Sequence, residues 1–141
     1  MVILKSHQAM GSFLGRGTHV WLEIHPADGD KITFSGAKAK NLLAIIENLK
    51  RDYDKESTRG SVVIPPPNGI SSPQWEDSVI QAGRDIKHTM HKKLRYSGAF
   101  PFLVGYGNCA SIAHLIINQA GGELPKFKFS GFSPGLLSKC S

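Results

Sequence analysis

Thr18-His-Val-Trp-Leu-Glu-Ile24, with Pro26-Ala-Asp-Gly-Asp30 and Lys31-Ile-Thr-Phe-Ser35 after it, is the stretch on which the fold class turns. β-branched and aromatic residues give the first segment the character of a strand, and Pro, Asp and Gly then supply turn chemistry. The extended pattern resumes at Lys31, so residues 18 to 35 read as one β-hairpin ended by Gly36. Side chains alternate across a strand, which puts Val20, Leu22 and Ile24 on one face and His19, Trp21 and Glu23 on the other. The aliphatic face must be buried against a core or helices. His19 then looks toward a different environment.

Helical periods surround this hairpin. Leu42, Ile45, Ile46, Leu49 and Tyr53 are spaced as on one face of an amphipathic helix over about residues 38 to 54. Ser61-Val-Val-Ile64 is a short strand stopped by Pro65-Pro-Pro67, which can donate no ladder hydrogen bonds. Ser72-Pro73 is a helix start, and Trp75, Val79, Ala82, Ile86, Met90 and Leu94 carry that helix toward Tyr96-Ser-Gly98. Residues 98 to 107 form a glycine-rich loop pinned by burial of Phe100, Phe102 or Leu103. From Asn108, the positions Cys109, Ile112, Ala113, Ile116, Ile117 and Ala120 trace the apolar face of a last helix, closed by Gly121-Gly122. The tail from Leu124 is extended. Strands and helices in this arrangement predict an α+β domain with a small antiparallel sheet.

A chain of 141 residues supports one compact domain with its own core. At 40% hydrophobic and 20% charged residues it is too apolar to be disordered. It has no run of about 18 apolar residues, and its start is too short for a signal-peptide core, so no transmembrane segment is expected. Two cysteines without a CxxC pattern make neither a disulfide framework nor a structural zinc site. The 17 Lys and Arg against 11 Asp and Glu give a formal charge of +6, which favours anionic partners without choosing among them.

The chemistry concentrates on Cys109. A thiol in the first turn of a helix feels the partial positive charge of unpaired N–H groups, which favours the thiolate and can also hold an oxyanion. The lead-in Gly105-Tyr-Gly-Asn-Cys109 would let a loop deliver this helix start into an open cleft. A thiolate nucleophile needs a base on a rigid element, and His19 is the best candidate. Cys140, next to the end, is incidental.

A histidine strand early, a helix-starting Asn-Cys late, then Ala-Gly-Gly and a terminal Pro-Gly-Leu together resemble the circularly permuted branch of the NlpC/P60 (papain-like) superfamily. That branch includes lecithin–retinol acyltransferase-like proteins and bacterial hydrolases. The matching residues are Thr18 to Ile24 with the next hairpin strand, Gly107 to Gly122, and Ser133-Pro-Gly-Leu-Leu137. The resemblance implies a permuted papain-like α+β domain over 1–141, complete or as the C-terminal domain of a longer chain. It implies a cysteine hydrolase or acyltransferase that cleaves an amide or ester through a thioester, with Cys109 as nucleophile and His19 as base and later acid. The family often adds a third polar residue on the next strand; Thr33 or Ser35 stands there, and Glu23 shares the face of His19. No cofactor and no metal are implied. The implied partners are a peptide, peptidoglycan or lipid acyl substrate and, for a bacterial effector or toxin, a cognate immunity or inhibitor protein. Such an effector would be secreted or delivered without a signal peptide, and the chain is otherwise expected to be cytoplasmic.

Other constellations read differently. His88 and His91, at i and i+3, fit a solvated basic helix end better than a metal site. Gly11-Ser-Phe-Leu-Gly-Arg-Gly17 lacks a following Gly-Lys-Ser/Thr and a helix, which excludes a phosphate loop. The alternative from another class is a basic, non-enzymatic module that binds nucleic acid or a partner protein. It rests on charge alone, and nucleic acid is not expected because no recognition motif accompanies the charge.

Overall fold

The computed structural model describes residues 1–8, 18–54, 60–97 and 105–125. Strands β1 (Val2–Gln8), β2 (Thr18–Ile24), β3 (Ile32–Ala39) and β4 (Leu42–Glu47) follow one another as an antiparallel meander. A single helical turn, α1 (Lys50–Tyr53), leads toward β5 (Ser61–Val63), which pairs antiparallel with β1. The long helix α2 (Ser72–Met90) precedes two short strands, β6 (Arg95–Tyr96) and β7 (Tyr106–Gly107), and then α3 (Cys109–Gln119). All seven strands belong to one sheet of order β5-β1-β2-β3-β4-β6-β7, in which only β6 and β7 run parallel. The architecture is α+β.

Helices α2 and α3 cover one face of the sheet. Val20, Leu22 and Ile24 of β2 join Leu4, Phe34, Leu43 and Ile45 in a core closed by Trp75, Val79 and Ile86 of α2 and Ile112, Ile116 and Ile117 of α3. The expected burial of the aliphatic face of β2 is what is observed. Trp75 satisfies its indole by donating to the carbonyl of Ile64 at 3.1 Å. Close approach of α2 to the sheet depends on Gly83, where a Cβ would lie 2.5 Å from the Phe34 ring. The other face of β1, β2 and β3 is buried as well: His7, His19, Trp21, Glu23 and Thr33 are all withdrawn from solvent.

The helix expected over residues 38 to 54 is not formed. Lys38 and Ala39 finish β3, Lys40 turns the chain at φ 56°, and Leu42 to Glu47 pair back onto β3 in the register Ala39↔Leu42 through Phe34↔Glu47. Leu43 and Ile45 alternate into the core as strand residues. A short apolar run satisfies either period, and pairing with a neighbouring strand decides it. Asn48, at φ 55°, ends β4, and its side-chain oxygen accepts the N–H of Thr33 at 2.9 Å. Only then does the chain turn helically.

Helix α2 is capped by Ser71, one residue earlier than expected, in a capping box with Gln74. It ends at Met90 rather than near Tyr96: Lys92, at φ 57°, breaks it and donates to the carbonyl of Leu43. Arg95 and Tyr96 are then free to extend the sheet. Helix α3 matches its reading, with Asn108 and Ser111 forming a capping box and Gly121 at φ 90° closing it. Phe100, Phe102 and Leu103, the segment 11–17, residues 133–137 and Cys140 lie outside the described residues.

Candidate functional site

Register builds the site. In the β1–β2 ladder His7 stands opposite His19 and Lys5 opposite Trp21, so these side chains share the sheet face turned away from α2 and α3. The rings of His7 and His19 lie 5.0 Å apart, and Trp21 stacks on His19 at 5.9 Å with planes inclined by 17°. Helix α1 adds Asp52 to this group. His19 Nε2 is 3.0 Å from Asp52 Oδ2, and His7 Nε2 is 3.5 Å from Oδ1. His19 and Asp52 are both 0% exposed. Arg51 reaches in from the rim, with Nη2 3.4 Å from His19 Nε2 and Nε 3.4 Å from Asp52 Oδ1.

Two opposing effects set the charges here. Burial disfavours an ionised Asp52, but the neighbouring His19 and His7 outweigh it and hold the carboxyl well below the usual carboxylate range. Burial also pushes the imidazole of His19 below its ordinary value, further than the pull of Asp52 raises it. The pair at neutral pH is therefore a neutral imidazole beside a carboxylate. A carboxylate only accepts, so Nε2 carries the hydrogen and Nδ1 presents its lone pair. Among the described residues, this buried Nδ1 has no hydrogen-bond partner.

Cys109 enters from the other side of β2. The β2–β3 ladder ends at Leu22↔Phe34. Two residues on, the N–H of Val20 donates instead to Cys109 Sγ at 3.4 Å. The start of α3 approaches this closely because Gly36 has no side chain: a Cβ there would lie 3.1 Å from Cys109 Cα and 3.0 Å from Ile112. The sulfur thus lies against the backbone of the residue next to His19, while the imidazole stands on the opposite face of the strand. Cys109 is 1% exposed and disulfide-bonded. Where an open, free thiol is expected, the sulfur is covered and oxidised in this state. The lead-in glycines serve geometry and packing: Gly105 sits at φ 84°, and Gly107 lies against Leu43 and Leu94.

The three candidates for a third member part company. Glu23 is taken up by Lys5 at 2.9 Å and His25 at 2.6 Å and does not contact His19. Thr33, opposite Glu23 in the β2–β3 ladder, is buried without reaching His19. Ser35 is buried, and its Oγ has no hydrogen-bond partner among the described residues. The residue that holds His19 is Asp52, which sequence reasoning missed along with His7. Asp52 was hidden in the polar face of a helix that does not form. His7 was legible only had Val2-Ile-Leu-Lys-Ser-His-Gln8 been read as a strand facing β2. His91, expected on a solvated basic face, instead accepts the N–H of Ile45 at 2.9 Å and so anchors the end of α2 to β4.

Compared with known proteins, the chain matches no family model, no curated protein and no solved structure. Among the described residues no helix is long and apolar enough to cross a membrane.

Proposed function

We propose that the protein is a cysteine-dependent hydrolase or acyltransferase of permuted papain-like architecture, held in an oxidised resting state, with Cys109 as nucleophile, His19 as base and Asp52 as the positioning residue. One observation carries this reading: His19 is fixed through Nε2 by a buried carboxylate and keeps Nδ1 unpartnered, one residue from the N–H that touches Cys109 Sγ. A base clamped on one side and vacant on the other is what nucleophilic catalysis by a thiol requires.

The first step is reduction. A thiolate of a dithiol reductant attacks the disulfide, the mixed disulfide resolves, and the reductant leaves as its own disulfide with Cys109 as a free thiol. Released from that bond, the side chain has to reach His19 from the other side of β2, and Nδ1 then takes its proton. The thiolate attacks an acyl carbon, and N–H groups in the first turn of α3 hold the oxyanion. His19 returns the proton to the leaving amine or alcohol, and water or another acceptor resolves the thioester with His19 again as base. Asp52 stabilises the imidazolium formed twice in this cycle.

The substrate class is an amide or ester: a peptidoglycan peptide, a protein or a lipid acyl group. Purified protein incubated with peptidoglycan, phospholipid vesicles and casein, with and without dithiothreitol, tests the reading. Release that needs the reductant and disappears in Cys109→Ala supports it. No release under reduction, or release that persists in Cys109→Ala, overturns it. The sealed sulfur favours one competitor, a basic non-enzymatic binding module, for which salt-sensitive nucleic-acid affinity unchanged by Cys109→Ala is the signature.

A further inference from the structure

We infer that His7, His19 and Asp52 form a binding site for one divalent transition-metal ion of the zinc class, and that the ion switches His19 off as a base. The three side chains offer ligand atoms that all lie within 4.8 Å of one another. Ligands held about 2.0–2.2 Å from a tetrahedral ion are about 3.3 Å apart. The separations of 3.0 Å and 3.5 Å from the two imidazole nitrogens to the carboxylate oxygens bracket that span. The two distances run to different carboxylate oxygens, so an ion entering here draws the two imidazoles together around it.

Ligand chemistry selects the metal. Two imidazoles and one carboxylate suit zinc, cobalt, nickel and iron(II), whereas magnesium and calcium take oxygen ligands. The three ligands come from β1, β2 and α1, so the fold sets their geometry before any ion arrives. Trp21, stacked on His19 and 5.1 Å from His7, fixes both rings and supplies an apolar wall.

Among the described residues, Arg51 opposes a cation here, since its guanidinium lies 3.4 Å from both His19 Nε2 and Asp52 Oδ1. Its side chain is 31% exposed, so it can withdraw to solvent. Arg51 and the ion then compete for one carboxylate.

The consequence for the imidazole follows from its tautomer. A neutral histidine bound to metal through Nε2 carries its hydrogen on Nδ1. The lone pair on Nδ1 is lost, and His19 cannot accept a proton through it. This inhibitory consequence rests on the hydrolase reading; binding of the ion does not.

The test is titration of the oxidised full-length protein, after removal of metal by a chelator, with Co²⁺ and Zn²⁺. Omitting reductant keeps Cys109 in its disulfide and out of the ligand set. Saturation at one Co²⁺ per chain, with visible d–d absorption displaced by Zn²⁺, is expected. His7→Gln should weaken binding by at least about 100-fold, more than loss of a residue that merely supports a ligand. Arg51→Ala should tighten it by roughly tenfold, because a competing charge is gone. Circular dichroism of the metal-free variants checks that they fold. Absence of a saturable site, binding unchanged in His7→Gln, or binding lost in His88→Ala instead would overturn the proposal. Turnover under reduction without metal binding would remove the metal site alone; stoichiometric binding without any turnover would remove the hydrolase reading alone.

Discussion

Mild acid should destabilise this protein, and His19 is the main reason. Its folded-state pKa lies below the ordinary value because burial disfavours the imidazolium. The unfolded chain therefore binds a proton that the folded chain refuses, from about pH 6.5 down to the folded-state value. Stability is fully present above about pH 6.5 and is lost as the pH falls through that window. Linkage sets the slope at up to about 1.4 kcal/mol per pH unit for one such group. One unit of acidification within that window thus removes at most about 1.4 kcal/mol, a sizeable share of a typical total of about 5–15 kcal/mol. Asp52 does not blunt this loss: its lowered pKa keeps it ionised throughout the window, and its own contribution is lost only at far lower pH. His114, also lowered by burial, adds in the same direction. The assay is the urea midpoint and slope at about pH 7.5, 6.5 and 5.5 for the wild type, His19→Gln and His114→Gln. Wild-type stability should fall below about pH 6.5, with the steeper part removed in His19→Gln. A flat profile in the wild type, or an undiminished slope in His19→Gln, would refute the reasoning.

Gly83→Ala should destabilise the fold even though alanine is the better helix former by about 1 kcal/mol. A Cβ 2.5 Å from the buried ring of Phe34 forces repacking at about 1–3 kcal/mol, so thermal denaturation should show a net loss. Asn108→Ala removes the Oδ1 that accepts the Ser111 N–H in the α3 capping box, at a fully buried position, and should cost about 1–2 kcal/mol in the same measurement. An unchanged midpoint in either variant would mean that the packing or the cap is misjudged. Asp52→Asn should lower kcat on whichever acyl substrate responds and leave KM nearly unchanged, because the carboxylate acts on the imidazole and touches no substrate; an equal kcat would deny it the positioning role.

The hairpin begun at Thr18 and helix α3 were legible because each carries a clear period with turn or cap residues, although Gly36, read as the hairpin's end, lies inside β3, which runs on to Ala39. Strand β4 was not. Leu42, Ile45, Ile46 and Leu49 satisfy a helical spacing, and the strand outcome depends on β3 lying alongside, which no local window contains. The same limit explains the site. Cys109 and His19 announce themselves through the helix start and the strand, but His7 and Asp52 join them only through the β1–β2 register and the placement of α1. Glu23 illustrates the converse: it shares a face with His19, yet Lys5 and His25, its salt-bridge partners, claim it first. Burial of the sulfur was equally out of reach, because it depends on how closely Gly36 lets α3 approach the sheet.

The partnership of Cys109 and His19 is tested most directly by the rate of iodoacetamide alkylation of each thiol in the reduced protein at about pH 6.5, resolved by peptide mass spectrometry. A thiol served by the His19 base should make Cys109 react faster than Cys140, and His19→Ala should remove the difference. Equal, slow labelling of both sulfurs, or a Cys109 rate indifferent to His19→Ala, would contradict the account.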